Sequence, residues 1–153
     1  MLTAATVAAA FALTSPAFTS NGTIPRRYTC DGANVSPALR WTAPPRGTRS
    51  LALLVNDPDA PARTFTHWLG WNISVKARSL RAGQHAPAEG RNDAGGVGYT
   101  GPCPPSGVHR YVFRLYALDR PLALLRGASA ADFTRALRGH VLRVATLVGT
   151  YAR

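Results

Sequence analysis

The sequence predicts a mainly β domain with one peripheral helix near the C-terminus, and three observations predict it. Fourteen glycines and twelve prolines are scattered between short apolar runs, which suits a strand-and-loop protein better than a helical bundle. Several of those runs alternate polar with apolar residues or are rich in β-branched and aromatic side chains. Only one segment combines helical spacing with start and stop signals.

Taken in order, Phe18 to Arg49 is turn-rich, with Asn21-Gly22, Asp31-Gly32, Ser36-Pro37 and Pro44-Pro45 separating short extended pieces such as Ala38 to Thr42. Ser50 to Val55 is a compact apolar run and predicts a strand buried on both faces. The following Asp57-Pro58-Asp59-Ala60-Pro61 is expected to be neither helix nor central strand, because its two prolines cannot donate to a ladder. His67 to Val75 predicts a strand on the bulk of Trp68, Trp71, Ile73 and Val75. Ala77 to Gly101 carries six glycines and few large apolar groups, and is expected to be a long functional or mobile loop. Arg110 to Leu118 predicts another strand, closed by Asp119-Arg120-Pro121. Ser129 to Arg138 is the helix: Ser129 and Asp132 have capping-box spacing, Phe133 and Leu137 lie four apart, and Gly139 stops it. Val141 to Tyr151 alternates again as a last strand.

The 153 residues, 46% of them hydrophobic, can close one core, and no repeat or linker divides them. Residues 16–153 are therefore expected to form a single domain. Residues 1–15 precede it as an apolar, alanine-rich segment. With no charged residue before the run it lacks the usual front of a signal peptide, and at about 12 residues it is too short to span a bilayer. It reads as the remnant of an export signal, as the product of a mis-set start, or as a short element covering the core. The cytoplasm is the expected compartment, with the periplasm or export as the alternative.

A net charge of +11 invites a nucleic-acid partner, since basic surfaces attract polyanions through counterion release. The distribution argues against a specific one. Seventeen of the 18 cations are arginines, spread from Arg26 to Arg153 with no dense run and no basic helix punctuated by stacking aromatics. What remains is nonspecific nucleic-acid attraction at low salt. The two cysteines, Cys30 and Cys103, cannot make a tetrahedral zinc site alone. They are either two buried thiols or one disulfide joining two loops, and the latter would favour an oxidising compartment.

Three clusters place polar groups where a strand would otherwise be apolar. The stiff Asp57-Pro58-Asp59-Ala60-Pro61 turn can hold a carboxylate at little entropic cost, although such a turn also serves simply to end a strand. His67 lies beside Trp68 at the start of a strand, where a satisfied structural histidine is the commoner case. In the run from Gly98 to Tyr111 a Gly/Pro-rich loop delivers His109 and then Tyr111 on the same face of a strand. Gly101 would allow close backbone approach to a ligand there.

The order of these clusters resembles the phosphatidylethanolamine-binding protein family. Asp57-Pro58-Asp59-Ala60-Pro61, then His67-Trp68-Leu69, then Gly98-Tyr99-Thr100-Gly101-Pro102-Cys103-Pro104-Pro105-Ser106-Gly107-Val108-His109-Arg110-Tyr111 is similar to the family's ordered signature. Arg27 to Gly32, Val35 to Trp41, Gly90 to Asp93 and Leu147 to Tyr151 look like its bacterial and archaeal, Raf-kinase-inhibitor-like (YbhB/YbcL) branch. The likeness runs from about Phe18 to Arg153. It implies a β-sandwich of mostly antiparallel strands with a few peripheral helices and a small anion-binding pocket at one end. Carried over by position, Asp57, Pro61, His67, Gly101, Pro102, His109 and Tyr111 would line that pocket. The chain departs from the branch at Ala94, where an aromatic usually follows Asn-Asp, and in a short loop between Val75 and Gly90.

The resemblance implies a binding protein for a small anionic or phosphorylated ligand or phospholipid head group, with a kinase or protease as a candidate protein partner and with no cofactor. The chemistry agrees: imidazole N–H and phenolic O–H groups donate to an oxyanion, and Asp57 would orient an imidazole. The chain is expected to be a monomer or homodimer without a transmembrane segment. The rival is a hydrolase using an Asp57/His67/His109 acid–base set. No serine lies in a nucleophile elbow, Cys103 is flanked by prolines, and Ser106 is the only hydroxyl near His109, so no catalytic residue is assigned. A metal held by Asp57, Asp59, His67 and His109 is conceivable by ligand type but nothing in the spacing requires it.

Overall fold

The computed structural model describes residues 4–5 and 9–153. Among the described residues, eight strands and one α-helix follow one another: β1 (Leu13–Thr14), β2 (Leu39–Trp41), β3 (Ser50–Asp57), β4 (Phe65–Ile73), β5 (Ser79–Leu80), β6 (Ala88–Glu89), β7 (Val108–Leu118), α1 (Ala130–Leu137) and β8 (Val141–Ala152). A single 3-10 turn covers Arg26–Tyr28. The strands form two antiparallel sheets, a small one in the order β1-β2-β5 and a large one in the order β6-β4-β3-β7-β8.

Burial on both faces explains why β3 is continuously apolar from Leu51 to Val55. Leu51, Leu53 and Val55 pack into the core between the sheets, with Leu13, Leu39, Trp41 and Leu80 from the small sheet. Ala52 and Leu54 point the other way, towards a second cluster that includes Leu69, Trp71, Phe133 and Leu137. The large sheet is thus covered on both faces, by the small sheet and by α1. The chain is mainly β, as the sequence predicts, with the helix near the C-terminus.

The helix depends on that docking. The Ser129 hydroxyl accepts the Asp132 N–H at 3.1 Å as N-cap, and Gly139, at φ +78°, lets the chain turn away. Eight residues are too few for a helix to persist alone in water. Phe133, fully buried between Trp71 and Tyr116, fixes it to the sheet. Truncating such a ring costs about 3–5 kcal/mol.

Two expectations need correcting. The stretch from Ala77 to Gly101 is not wholly loop: β5 and β6 lie within it, each only two residues long. The strand expected from His67 to Val75 runs instead from Phe65 to Ile73, and two bulges interrupt it. Between the pairs Val55↔Trp68 and Asn56↔Thr66, β3 advances one residue and β4 two, so His67 is the extra residue. Between Leu51↔Ile73 and Leu53↔Gly70 β4 again gains one. There Asn72 has φ +57°, and its side-chain amide bonds both the N–H and the C=O of Leu122. This second bulge lets Trp71 face the helix while Ile73 faces the inter-sheet core.

Of the apolar segment 1–15, residues 1–3 and 6–8 lie outside the described residues. Its end is part of the fold: β1 pairs with β2, and Phe11 and Leu13 are buried in the inter-sheet core. No helix among the described residues is long and apolar enough to cross a membrane.

Candidate functional site

Three strands of the large sheet end or begin at one rim, and their tips carry the polar residues singled out in the sequence. Asp57 is the last residue of β3, His67 lies two residues into β4, and His109 and Tyr111 open β7. Because Asp57 follows Leu51, Leu53 and Val55 by twos, it shares their face. Tyr111 likewise shares a face with Phe113 and Leu115, so both point into the end of the inter-sheet core. The bulge at His67 brings that ring to the same end although its neighbour Trp68 is also in the core.

These side chains line a cavity of about 350 Å³. Pro61 and Gly101 also line it, together with Phe65, Ala94, Thr100, Pro104 and both cysteines. Pro102 does not line the cavity. It is buried, and its carbonyl accepts the Cys30 N–H at 3.1 Å. Gly101 also has a different reason from close ligand approach. A Cβ there would collide with the Tyr28 carbonyl oxygen and the Asn34 side chain, so glycine is required by the neighbouring loop.

Each polar group is held by a specific partner. His109 Nδ1 bonds Asp57 Oδ2 at 2.6 Å, with the two side chains only 9% and 5% exposed. The other carboxylate oxygen of Asp57 accepts the Asp59 N–H at 2.8 Å. Asp59 in turn accepts from Arg110 three times, from the backbone N–H at 2.9 Å, Nε at 2.9 Å and Nη2 at 2.8 Å. Those bonds hold the Asp59 carboxyl down at about 2. The acidic turn is thus tied to β7 at two successive residues, His109 and Arg110.

His67 is pinned from the opposite side. Its Nδ1 donates to the Thr100 carbonyl at 2.7 Å, and the Thr100 N–H donates to the His67 carbonyl at 2.9 Å. Burial pushes the imidazole below its ordinary pKa, opposed by the Thr100 carbonyl and by the Asp57 and Asp93 charges. Asp93 fixes the residue before it: Asp93 Oδ2 accepts the Thr66 N–H at 2.7 Å, and the Asp93 N–H donates to the Thr66 carbonyl. Asn92 accepts the N–H groups of Ala94 and Gly96, shaping the turn that sets Ala94 at the cavity. The Asn92-Asp93 pair therefore builds the site without entering it.

Tyr111 is 1% exposed, and its ring meets His67 edge-on with centroids 5.2 Å apart. Its buried O–H donates to no group among the described residues, although the Cys103 backbone N–H approaches the phenol oxygen. Burial, with the Asp57 and Asp59 charges, raises its pKa, so it stays a protonated donor across the physiological range. A buried O–H without an acceptor costs about 1–3 kcal/mol, which a ligand oxygen would recover.

Cys30 and Cys103, 73 residues apart, are joined by a disulfide. It closes the 26–34 segment against the loop from Thr100 to Pro105, aided by the Gly101 N–H bond to Asn34 Oδ1 at 2.7 Å. Among the described residues no group of three or more His, Cys, Asp or Glu side chains could hold a metal ion. Sequence reasoning missed Phe65, Thr100 and the Asp59–Arg110 clamp. Thr100 acts through its backbone carbonyl, which leaves no mark in residue type.

Sequence and fold both match known proteins. The family model for phosphatidylethanolamine-binding protein matches residues 14–152. A UPF0098 protein of Methanothermobacter thermautotrophicus is 51% identical over 150 residues, covering 92% of this chain and 98% of the relative. The structure is similar to that of CT736, a phosphatidylethanolamine-binding protein homologue from Chlamydia trachomatis, at a TM-score of 0.90 and 39% identity over 94% of this chain and 98% of the other. It is also similar to E. coli YbcL, described as a member of the mammalian family, at a TM-score of 0.89 and 29% identity over 95% and 99% of the two chains.

Proposed function

The chain belongs to the phosphatidylethanolamine-binding protein family, and from that premise we propose that it binds a small anionic or phosphorylated ligand in the cavity of Asp57, His67, His109 and Tyr111. The single observation that carries this reading is the Tyr111 hydroxyl. It is a buried donor at the cavity with no partner among the described residues, beside two imidazoles whose Nδ1 atoms are already engaged. A ligand oxygen would satisfy it, and the apolar walls from Phe65, Pro104 and Pro105 would strengthen the bond by excluding water.

Binding is favoured over catalysis because the site offers no activated nucleophile. Both cysteines are consumed by the disulfide, and Ser106 is exposed and absent from the cavity lining. The Asp57–His109 pair positions an imidazole, but the hydroxyl that shares the cavity is the Tyr111 phenol, whose pKa is raised by burial rather than lowered. A kinase or protease partner rests on the family resemblance alone. The disulfide supports the periplasm or export over the cytoplasm, since such bonds persist in oxidising compartments.

The test is a titration of the protein with phosphate, phosphoethanolamine and acetate, followed by NMR of the histidine and tyrosine side chains. His67, His109 and Tyr111 should shift together. Silence with all three ligands, or an unchanged response in His67→Ala, would end the proposal.

A further inference from the structure

The hydrogen bonds that hold the two cavity histidines also fix what their free nitrogens can do. A carbonyl oxygen can only accept, so the 2.7 Å contact to Thr100 requires a proton on His67 Nδ1. Whenever that imidazole is neutral, its Nε2 carries a lone pair and no hydrogen. Neutrality is what the surroundings favour. His67 is 4% exposed, packed against the Phe65 ring at 4.7 Å and the Tyr111 ring at 5.2 Å, and burial lowers its pKa. The charged or titratable groups around it are Asp57 from β3, Asp93 from the turn after β6, and His109 and Tyr111 from β7.

The cavity therefore combines two demands on one ligand. Tyr111 offers a proton to an oxygen, whereas neutral His67 Nε2 offers a lone pair and needs a proton from the ligand. Asp57 adds a buried carboxylate at the wall, which opposes a second full negative charge on the guest. An oxyanion with one charge and one acidic hydroxyl meets all three conditions. An oxyanion with no proton would set an oxygen lone pair against that of Nε2.

Resting on the anion-binding reading above, we infer that His67 is a specificity-determining acceptor that selects oxyanions bearing a proton, namely dihydrogen phosphate or the monoanion of a phosphomonoester, over sulfate and phosphodiesters. An intact phospholipid head group is a diester and lacks that proton, so the preferred guest is a free phosphate or a monoester.

Calorimetry on the full chain at pH 7 tests this with four probes, inorganic phosphate, phosphoethanolamine, sulfate and dimethyl phosphate, of which the first two take up a proton on binding to the extent that they are dianions in solution. The first two should bind at least about tenfold more tightly than the last two, the margin expected when a buried acceptor is left facing another acceptor. Phosphate against phosphoethanolamine tells a free anion from a monoester. On acidification through the titration of His67 the phosphate-to-sulfate ratio should shrink towards one, because imidazolium donates to both. In His67→Gln, whose amide can turn either a donor or an acceptor to the guest, the ratio at pH 7 should also collapse. Should all four probes bind within about threefold of one another in the unaltered protein, the anion pocket stands and the acceptor role of His67 is overturned. Sulfate binding as tightly as phosphate with uptake of one proton overturns it too. If none of the four binds, the anion-binding reading fails and this inference with it.

Discussion

Asp57 and His109, 52 residues apart in the chain, meet at 2.6 Å in the buried rim of the large sheet, where one ends a strand and the other is the second residue of another. Two residues after Asp57 and one after His109 the arrangement is repeated in the open, with Asp59 gripping Arg110 through three hydrogen bonds. The same turn thus carries a buried pair and an exposed pair.

Those two pairs should differ in energy. Asp57→Ala leaves a buried imidazole N–H unpaired and should destabilise the protein by about 1–3 kcal/mol in urea unfolding. Asp59→Ala removes a pair whose arginine is 60% exposed, and should cost less than about 1 kcal/mol, with its loss shrinking further at high salt. Equal losses would refute the distinction.

Tyr111→Phe separates stability from binding. Deleting a hydroxyl that donates to no group among the described residues should leave the melting temperature unchanged or raise it. The same change should weaken phosphate binding about tenfold, the worth of one hydrogen bond to a charged group. A variant that melts lower yet binds normally would show that the hydroxyl is structural.

Reduction of the Cys30–Cys103 disulfide releases a loop of 73-residue separation and should lower stability by about 4 kcal/mol on chain-entropy grounds. Both cysteines line the cavity, so the Cys30→Ser/Cys103→Ser variant should also bind phosphate more weakly. Calorimetric unfolding with and without phosphate reads both effects.

Acid should destabilise the unliganded fold through His67. Its folded pKa lies below the unfolded value of 6.5, so its contribution is present above pH 6.5 and is lost as pH falls through the folded pKa. Urea midpoints at pH 7.5 and pH 5 should therefore differ more in the unaltered protein than in His67→Gln. An identical difference in the two would exclude His67 as the source.

Much of this was legible from local patterns. The aromatic and β-branched content of Arg110 to Leu118 and the alternation along Val141 to Tyr151 mark β7 and β8, which extend only a residue or two beyond those limits. The spacing of Ser129, Asp132, Phe133 and Leu137 marks α1, and the Ser129 cap is present. Strands of two residues, such as β5 and β6, are too short to show a period and were hidden in a glycine-rich stretch.

The sequence by itself determined the strand-and-helix order, the two-sided burial of β3 and the set of polar residues at three strand tips, because periodicity, capping and turn chemistry act over a few neighbouring residues. Only the tertiary structure decided what those residues do. It placed His67 on a bulge defined by its pairing with β3, tied its ring to the Thr100 carbonyl, and set His109 against Asp57. It also moved Pro102 out of the cavity and traced the need for Gly101 to the loop at Tyr28 and Asn34. Each of these depends on strand register or on a backbone atom from a distant segment, and neither is written in the identity of the residue itself.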